Sequence, residues 1–401
     1  MSLFFTVVQV PEAVKAVRDL AVPAGEEPVP LAGSLGRILA RDILSDADIP
    51  GFARSVVDGY AVRASDTAGS GDAAPAILSF RGRVEMGKAA GRPLAAGECI
   101  YVPTGGVLPA GADAAVMIEN TEMTGEDVLV KKPVAHGENV VLAGEDFREG
   151  EIVLRKGRRI SAQDTGVLAA AGCTVVPVSK RPKIAILSTG NELVPAGEVP
   201  GQGQVRDVNS YVVASFVEGQ GCIPVRYGIV RDDRGALRTA LGKAAAECDA
   251  VLVSGGSSKD ERDMVAAVVA EHGEILIHGI AIAPGKPTII GRFGEKPVIG
   301  LPGHPAAAFV VLVAIGSHLI TGMTGESGRS VRTTAAALAE NVPSTRGRED
   351  YIRVAVHDGI ATPLFGKSGL LNTLVRSTGI VRIPAESEGL ETGTRVEVIL
   401  W

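Results

Sequence analysis

The sequence predicts a multidomain α/β plus β protein: a central three-layer α/β domain with a mostly parallel sheet, two β-rich domains, and a small mixed helix and strand segment. Three observations lead there. Residues 183–305 alternate near-continuous apolar β runs with amphipathic helical stretches, as in a parallel sheet covered on both faces. Residues 75–146 and 331–401 instead carry short β runs broken by Gly, Pro, Asn or Asp. A chain of 401 residues is too long for one hydrophobic core, so two to four domains are expected. The boundaries fall at 1–44 with 148–180 for the mixed, linking and dimer-forming segment, 45–147 for the first β-rich domain, 181–326 for the α/β domain and 327–401 for a C-terminal barrel-like domain.

Taken in order, PEAVKAVRDL at 11–20 has apolar positions at helical spacing behind a first-turn proline. A second short helix is expected around Ala32–Ala40. From Asp42 the chain reads as loop through ILSDADIPGFARSVVDGYAVRASD, with Pro50-Gly51 and Asp58-Gly59 as turn signals. The runs AILSFRGRV, GECIYVPTGG, AAVMIENTEM and EDVLVKKPV make the β-rich domain. GEIVLRKGRRI reads as a strand pair. SAQDTGVLAAAG reads as a helix with Ser161 as N-cap and Gly172 at its end, and TVVPVSKRP as a strand.

In the α/β domain the strand KIAILSTG leads to a helix NSYVVASFVEGQG capped by Asn209. The strand IPVRYGIV, the helix DDRGALRTALGKAAAEC, the strand AVLVSGG, the helix DERDMVAAVVAEHG and the strand EILIHGIAI follow. PTIIGRF and KPVIGLPG are expected as an added antiparallel pair, and AAAFVVLVAIGSHLITGM as a closing apolar helix. TTAAALAENV, DYIRVAVHDG, GIVRIPAESEGL and TRVEVIL form a small barrel or sandwich, with Gly389 and Gly393 turning between the last two runs.

Composition narrows the function classes. Net charge is −6, no basic block occurs and aromatics are 4%, which argues against a nucleic-acid binder. Cys99, Cys173, Cys222 and Cys248 are scattered without zinc spacing and read as free thiols of a reducing compartment. No uninterrupted apolar run is read as long enough to span a bilayer and no signal peptide is read at the N-terminus, so a cytoplasmic protein without membrane partners is expected.

The chemistry is expected at the carboxyl ends of the parallel strands, where open α/β sheets bind ligands. These ends read Ser188-Thr189-Gly190-Asn191-Glu192, Arg231-Asp232-Asp233, Ser254-Gly255-Gly256-Ser257-Ser258 with Asp260, Glu261 and Asp263 beyond, and Ala283-Pro284-Gly285-Lys286-Pro287. A further turn, Gly300-Leu301-Pro302-Gly303-His304-Pro305, opens the last helix. Singly, each has a structural explanation: a helix cap for Asp232-Asp233, a Pro/Gly loop for GLPGHP. Together they bring Gly-rich backbone, several acids and a lysine to one sheet edge. That combination suits an anionic, phosphate-bearing ligand with a divalent cation. His304, with no second His near it in sequence, reads as a lining residue. No GxGxxG follows a strand, and neither GxxxxGK[ST] nor GxSxG occurs, so the usual dinucleotide, P-loop and serine-hydrolase sites are excluded.

These residues also carry a resemblance. SVVDGYAVR at 55–63 resembles the SxxDGYAVR segment of molybdopterin molybdenumtransferases, the MoeA type, related to the E domain of gephyrin. PTGG at 103–106 with PAGADAAV at 109–116 resembles their PTGAxxPxGADAVV segment, and Gly144-Glu145-Asp146 their GEDxxxG stretch. STGNEL, GIVRDD, SGGSSxxxxD, PGKP and GLPGHP follow in the family's order, over essentially the whole chain.

The resemblance implies molybdenum cofactor biosynthesis: Mg²⁺-assisted insertion of molybdate into adenylylated molybdopterin, with release of AMP. It implies Asp58, Thr104, Glu192, Asp232 and Asp263 as catalytic, the last three also holding metal. For substrate binding it implies the strand ends Ser188, Thr189, Gly190, Ser254, Gly255, Gly256 and Ser258. It adds the rim Pro284, Gly285, Lys286, Pro302, Gly303, His304 and Pro305, and Ser368 from GKSG. It further implies a homodimer whose cleft is shared between subunits, with a molybdopterin adenylyltransferase and molybdoenzymes as partners. The chain departs from the family at Ser257–Glu261, where V-S-V-G is usual, at Ala283, where a basic residue is common, and at His304, where Asn is usual. A tungstate-preferring enzyme and a non-catalytic molybdopterin carrier are therefore the alternative readings. A nucleotide-pyrophosphate hydrolase explains the α/β unit but not SVVDGYAVR.

Overall fold

The computed structural model describes residues 7–255, 259–328 and 331–401, with the backbone alone for 259–263. Helix Val10–Leu20 forms as its spacing requires, and Val10, Ala13, Val17 and Leu20 share its buried face. That face packs into the core of the α/β unit. The helix expected at Ala32–Ala40 does not form. Leu31–Gly33 makes one 3₁₀ turn, Gly36 adopts φ +75°, and Ile38 and Leu39 bridge to other strands. The left-handed glycine breaks the helical path, and Leu39 is buried in a core with Ile160, Val176 and Val178.

The stretch read as loop from Asp42 contains a strand at the heart of the first β-rich unit. Gly59–Val62 is buried at all four positions, between Glu98–Val102 and Ala114–Met117. The same sheet continues through Ala76–Arg83 and Asp127–Val130 to Thr121–Thr124. GEIVLRKGRRI does not pair with itself. Ile152–Leu154 pairs with Ile43–Leu44, and Arg159 bridges Ile38, so this segment returns to the N-terminal part of the chain. Helix Ala162–Ala170 has the expected cap: Ser161 Oγ accepts from Asp164 N, and Asp164 Oδ2 accepts from Ser161 N at 2.9 Å. Gly172 follows at φ +67°.

The α/β sheet runs in the order Ile223–Val230, Lys183–Thr189, Ala250–Ser254, Lys296–Leu301, Ile289–Phe293, Gly273–His278. Its first four strands are parallel, and only Ile289–Phe293 runs against its neighbours. PTIIGRF and KPVIGLPG do form the expected antiparallel pair, but not as an addition, because Lys296–Leu301 is also a central strand parallel to Ala250–Ser254 and buried from Pro297 onward. Alternate strand residues serve different cores. Ile184, Ile186 and Leu252 meet Val213, Val217 and the last helix, while Ala185, Leu187 and Val253 meet Leu237, Leu241 and Val268. Asn209 does not cap its helix. Val208 holds that position, and Asp207 Oδ1 accepts from Ser210 N at 3.1 Å.

The closing helix is continuous from Pro305 to Thr324, with a π turn at Leu312–Gly316. By length and composition it could cross a bilayer, contrary to the sequence expectation, and 67% of its most apolar stretch is buried in the fold. Beyond it, Thr333–Leu338, Glu349–His357, Ile360–Pro363, Gly379–Ile383 and Arg395–Leu400 close into a five-stranded barrel, the ring completed by pairing of Glu349–His357 with Gly379–Ile383. EILIHGIAI is split. Gly273–His278 stays in the α/β sheet, while Ile282–Ala283 leaves it and pairs in parallel with Glu349–Asp350 of the barrel. The molecule is thus a multidomain α/β and β-rich fold, with its barrel tied to the α/β unit just before Pro284.

Candidate functional site

Chain order places Lys183–Thr189 between the next two parallel strands, Ile223–Val230 on one side and Ala250–Ser254 on the other. Its carboxyl end is therefore a topological switch point, where the crossover connections diverge and leave a crevice. Ser188, Thr189 and Ser254 end their strands there, all buried. Ser188 Oγ and Thr189 Oγ1 have no hydrogen-bond partner among the described residues. Two buried hydroxyls without partners at one sheet edge are costly unless a ligand or water meets them.

The turn after Thr189 requires glycine. Gly190 sits at φ +149°, and a Cβ there would lie 2.5 Å from Glu192 Oε2, so the Glu192 carboxylate is folded back over the turn. Asn191 and Asp232 bind one another reciprocally. Asp232 Oδ2 accepts from Asn191 N at 2.9 Å, and Asn191 Oδ1 accepts from Asp232 N at 3.2 Å. Helix capping falls to Asp233, whose Oδ1 accepts from Ala236 N at 2.7 Å. Asp232 Oδ1 is left buried with no partner among the described residues. The cap and the candidate ligand are thus adjacent but different residues.

Asn209 ties the strand ends to the helix-opening turn. Its Nδ2 donates to Ser254 Oγ at 2.7 Å and to Gly303 O at 2.8 Å, and its Oδ1 is buried without a partner among the described residues. A central cavity of about 350 Å³ opens here, lined among others by Thr189, Glu192, Asp207, Asn209, Gly255 and His304. His304 also lines a second cavity of about 440 Å³ with Pro284, Gly285, Lys286, Arg346 and Arg348. A third, of about 790 Å³, adjoins the first at Leu193 and Asp207 and holds Tyr211 and Arg226, the guanidinium 4.2 Å from the ring centroid. In the second cavity the Ala283-Pro284 bond is cis, and Gly285, at φ +134°, leaves no room for a Cβ beside Val311 Cγ2. Arg348 pairs with Asp350 at 3.0 Å. Ser368 Oγ lies 2.7 Å from His304 Nδ1, and Ser368 O accepts from Ala306 N at 3.1 Å, so a barrel loop holds the start of the last helix.

The sequence-predicted residues therefore divide. Thr189, Gly190, Glu192, Ser254, Gly255, Pro284, Gly285, Lys286, Pro302, Gly303, His304, Pro305 and Ser368 line these contiguous cavities. Ser188 and Asp232 stand behind them in the strand-end layer. Asp58 and Thr104 meet each other, with Asp58 Oδ1 accepting from Thr104 N at 2.8 Å, but line none of the three cavities. Gly256, Ser258 and the side chain of Asp263 lie outside the described residues. Among the described residues, no group of three His, Cys, Asp or Glu is arranged to hold a metal. Sequence reasoning missed Asp207 and Asn209, whose signal was the polar RDVNS run before a helix. It also missed Arg346 and Arg348, which reach the cavity only through the strand pairing of Ile282–Ala283 with the barrel.

Three family descriptions match successive parts of the chain. Residues 8–172 match the description "MoeA N-terminal region (domain I and II)", 185–321 match "Probable molybdopterin binding domain", and 335–401 match "MoeA C-terminal region (domain IV)". The chain is 30% identical to a molybdopterin molybdenumtransferase of Bacillus subtilis, covering 98% of this chain and 94% of the relative. It is 32% identical to one of a Nostoc species, covering 93% and 88%. The crystal structure of a molybdopterin biosynthesis moeA protein from Pyrococcus horikoshii OT3 superposes with a TM-score of 0.86 at 34% identity, covering 99% of this chain and 100% of that one.

Proposed function

The chain belongs to the MoeA family of molybdopterin molybdenumtransferases, and from that premise we propose that its sheet edge inserts molybdate into adenylylated molybdopterin with Mg²⁺ assistance and release of AMP. As a family member it is a transferase of molybdenum cofactor biosynthesis. The observation that carries the finer reading is a group of buried oxygens at the switch point with no hydrogen-bond partner among the described residues: Ser188 Oγ, Thr189 Oγ1, Asn209 Oδ1 and Asp232 Oδ1. Such groups persist where a polar ligand or bound water completes them.

The three cavities divide the substrate by chemistry. Lys286, Arg346 and Arg348 line the one suited to an oxyanion, supplying charge-assisted donors to its oxygens. The central cavity, where Gly255 and Gly303 let backbone approach closely, suits the phosphoanhydride. Glu192 and Asp232 fit a hard cation: both offer carboxylate oxygen, and Asp232 Oδ1 is buried with no donor among the described residues. Mg²⁺ takes few protein carboxylates and completes its shell with water and phosphate, so two suffice without a third ligand. They would hold the ion, which when bound supplies neutralising charge at the phosphoanhydride. Asn191 keeps Asp232 in place through both of its bonds.

Asp58 and Thr104 support a shared cleft. They are ordered against each other yet line none of the three cavities described above, as expected of residues that complete the site of a second subunit in a homodimer. The test is AMP release from adenylylated molybdopterin with molybdate and Mg²⁺, using a proven insertase as reference. Release that requires both ions supports the reading. Binding of molybdopterin with no AMP favours the carrier. Faster turnover with tungstate identifies the tungstate enzyme. Asp232→Asn, which keeps the contacts with Asn191, is expected to lose Mg²⁺-dependent turnover and stay folded.

A further inference from the structure

His304 occupies a place that a lining residue does not require. It stands on the wall common to the cationic cavity and the central one. A residue at a helix N-cap ordinarily turns its side chain onto the first helical N–H groups, but His304 makes no such bond. Its imidazole points instead to the barrel loop, with Nδ1 2.7 Å from Ser368 Oγ. Ser368 is itself held, because its carbonyl accepts from Ala306 N at 3.1 Å. The ring is thus fixed through one nitrogen. Nε2 has no hydrogen-bond partner among the described residues, and the neighbouring loop residue Gly369 has no side chain to cover it: a Cβ there would begin 3.9 Å away.

We propose that His304 is a proton relay for the exchange of ligands at molybdenum, a step that rests on the function proposed above. In that exchange a dithiol and molybdate give a dithiolene-bound trioxo species and water. Two S–H bonds and one Mo–O bond break, and two Mo–S bonds form. The departing oxygen carries both protons away as water. Molybdenum stays Mo(VI), so no oxidant or reductant is needed. His304 Nε2 takes a proton from sulfur and delivers it to the departing oxygen of the same molybdenum centre, once for each proton. Ser368 keeps the ring in the orientation this requires. An asparagine at this position could hold Ser368 but could not accept and pass on a proton. The charged groups lining the two cavities that share His304 are Lys286, Arg346 and Arg348 in one and Glu192, Arg206 and Asp207 in the other, with Arg346 paired to Glu388 and Arg348 to Asp350.

The test uses the full-length chain with adenylylated molybdopterin, molybdate and Mg²⁺, and measures AMP and molybdenum-loaded pterin separately. His304→Asn is expected to lower kcat for metal loading by about 100-fold, the scale of general acid–base catalysis. KM for molybdate should stay within about twofold, and one ionisation should vanish from the pH–rate profile. His304→Gln should behave alike. Ser368→Ala, which frees the ring but leaves the imidazole, should keep the ionisation while lowering kcat about 10-fold. An unchanged kcat and pH profile in His304→Asn overturns the relay, and so does a change confined to KM, which would make the residue a lining group only. Unaltered thermal unfolding of each variant separates these outcomes from misfolding. Wild-type protein that yields neither product overturns the proposed function and the relay together, whereas a silent His304→Asn overturns the relay alone.

Discussion

Replacing Asn209 tests how the central cavity is held together. Its amide orientation follows from chemistry: Gly303 O can only accept, so Nδ2 must face it, and the same NH₂ reaches Ser254 Oγ. Asn209→Ala removes both bonds. At about 1 kcal/mol for each, the loss is about 2 kcal/mol before any cost of leaving Gly303 O unsatisfied. Asn209→Asp changes the donor into a buried charge opposite a carbonyl, and should cost more, about 3 kcal/mol or above. Trp401 reports the change. Its ring packs on Phe309 at 5.2 Å, and Phe309 packs on Phe216 of the Asn209 helix at 6.0 Å. With a urea slope of about 2 kcal/mol per M, the alanine variant should lower the midpoint of the Trp401 transition by about 1 M. If aspartate is better tolerated than alanine, or if alanine shifts the midpoint by less than about 0.2 M, the donor role of Asn209 is wrong and the cavity wall is held by other contacts.

Three further outcomes follow from the geometry. Arg382→Ala should destabilise the barrel by about 3 kcal/mol in denaturant unfolding, because Glu349, only 5% exposed in its side chain, would keep Tyr351 alone of its two side-chain partners; adding Glu349→Gln should recover part of that loss. Glu98, held down at about 2 by the Ala95 N–H and the guanidiniums of Arg81 and Arg92, contributes stability that is complete above the ordinary Glu range and is lost as pH falls from there through about 2; Glu98→Gln should flatten the acid limb of an unfolding series monitored by circular dichroism. Cys99 and Cys222, pushed up to about 12 chiefly by burial, should stay unmodified by iodoacetamide at about pH 8 in the native protein, as read by intact mass, and react only after unfolding.

What the sequence made legible was local. Capping at Ser161 needs only the Ser-x-x-Asp spacing, and the strands of the α/β unit declare themselves by apolar runs that both cores bury. The switch-point turns were visible for the same reason: Ser, Gly and Asp cannot continue a buried strand, so they mark its end. Where reading failed, a distant partner decided the conformation. Gly59–Val62 looks like loop because its glycine and the preceding aspartate signal a turn. It is a strand because a Cβ at residue 59 would collide with Val116 O, and glycine alone lets the two backbones close. Asn209 looks like a helix cap, yet its side chain is claimed by Ser254 and Gly303 from elsewhere in the chain.

The cationic cavity shows the same limit most clearly. Lys286 is visible in PGKP, but Arg346, Arg348 and Ser368 sit 60 or more residues later in a barrel of different texture. They reach the sheet edge because Ile282–Ala283 leaves one sheet to pair in parallel with Glu349–Asp350 of another, in a ladder only two residues long. Glu349 N also donates to Ala281 O at 2.9 Å, extending that seam by one bond. A pairing so short has no periodicity to read, yet it sets where Arg348 stands relative to Pro284. The departure at Ala283 falls within the seam itself, where its side chain is half-buried rather than free to offer a charge. Positive charge lining this cavity comes from both sides of the seam, from Lys286 in the α/β unit and from Arg346 and Arg348 in the barrel, where Arg346 also pairs with Glu388 and Arg348 with Asp350.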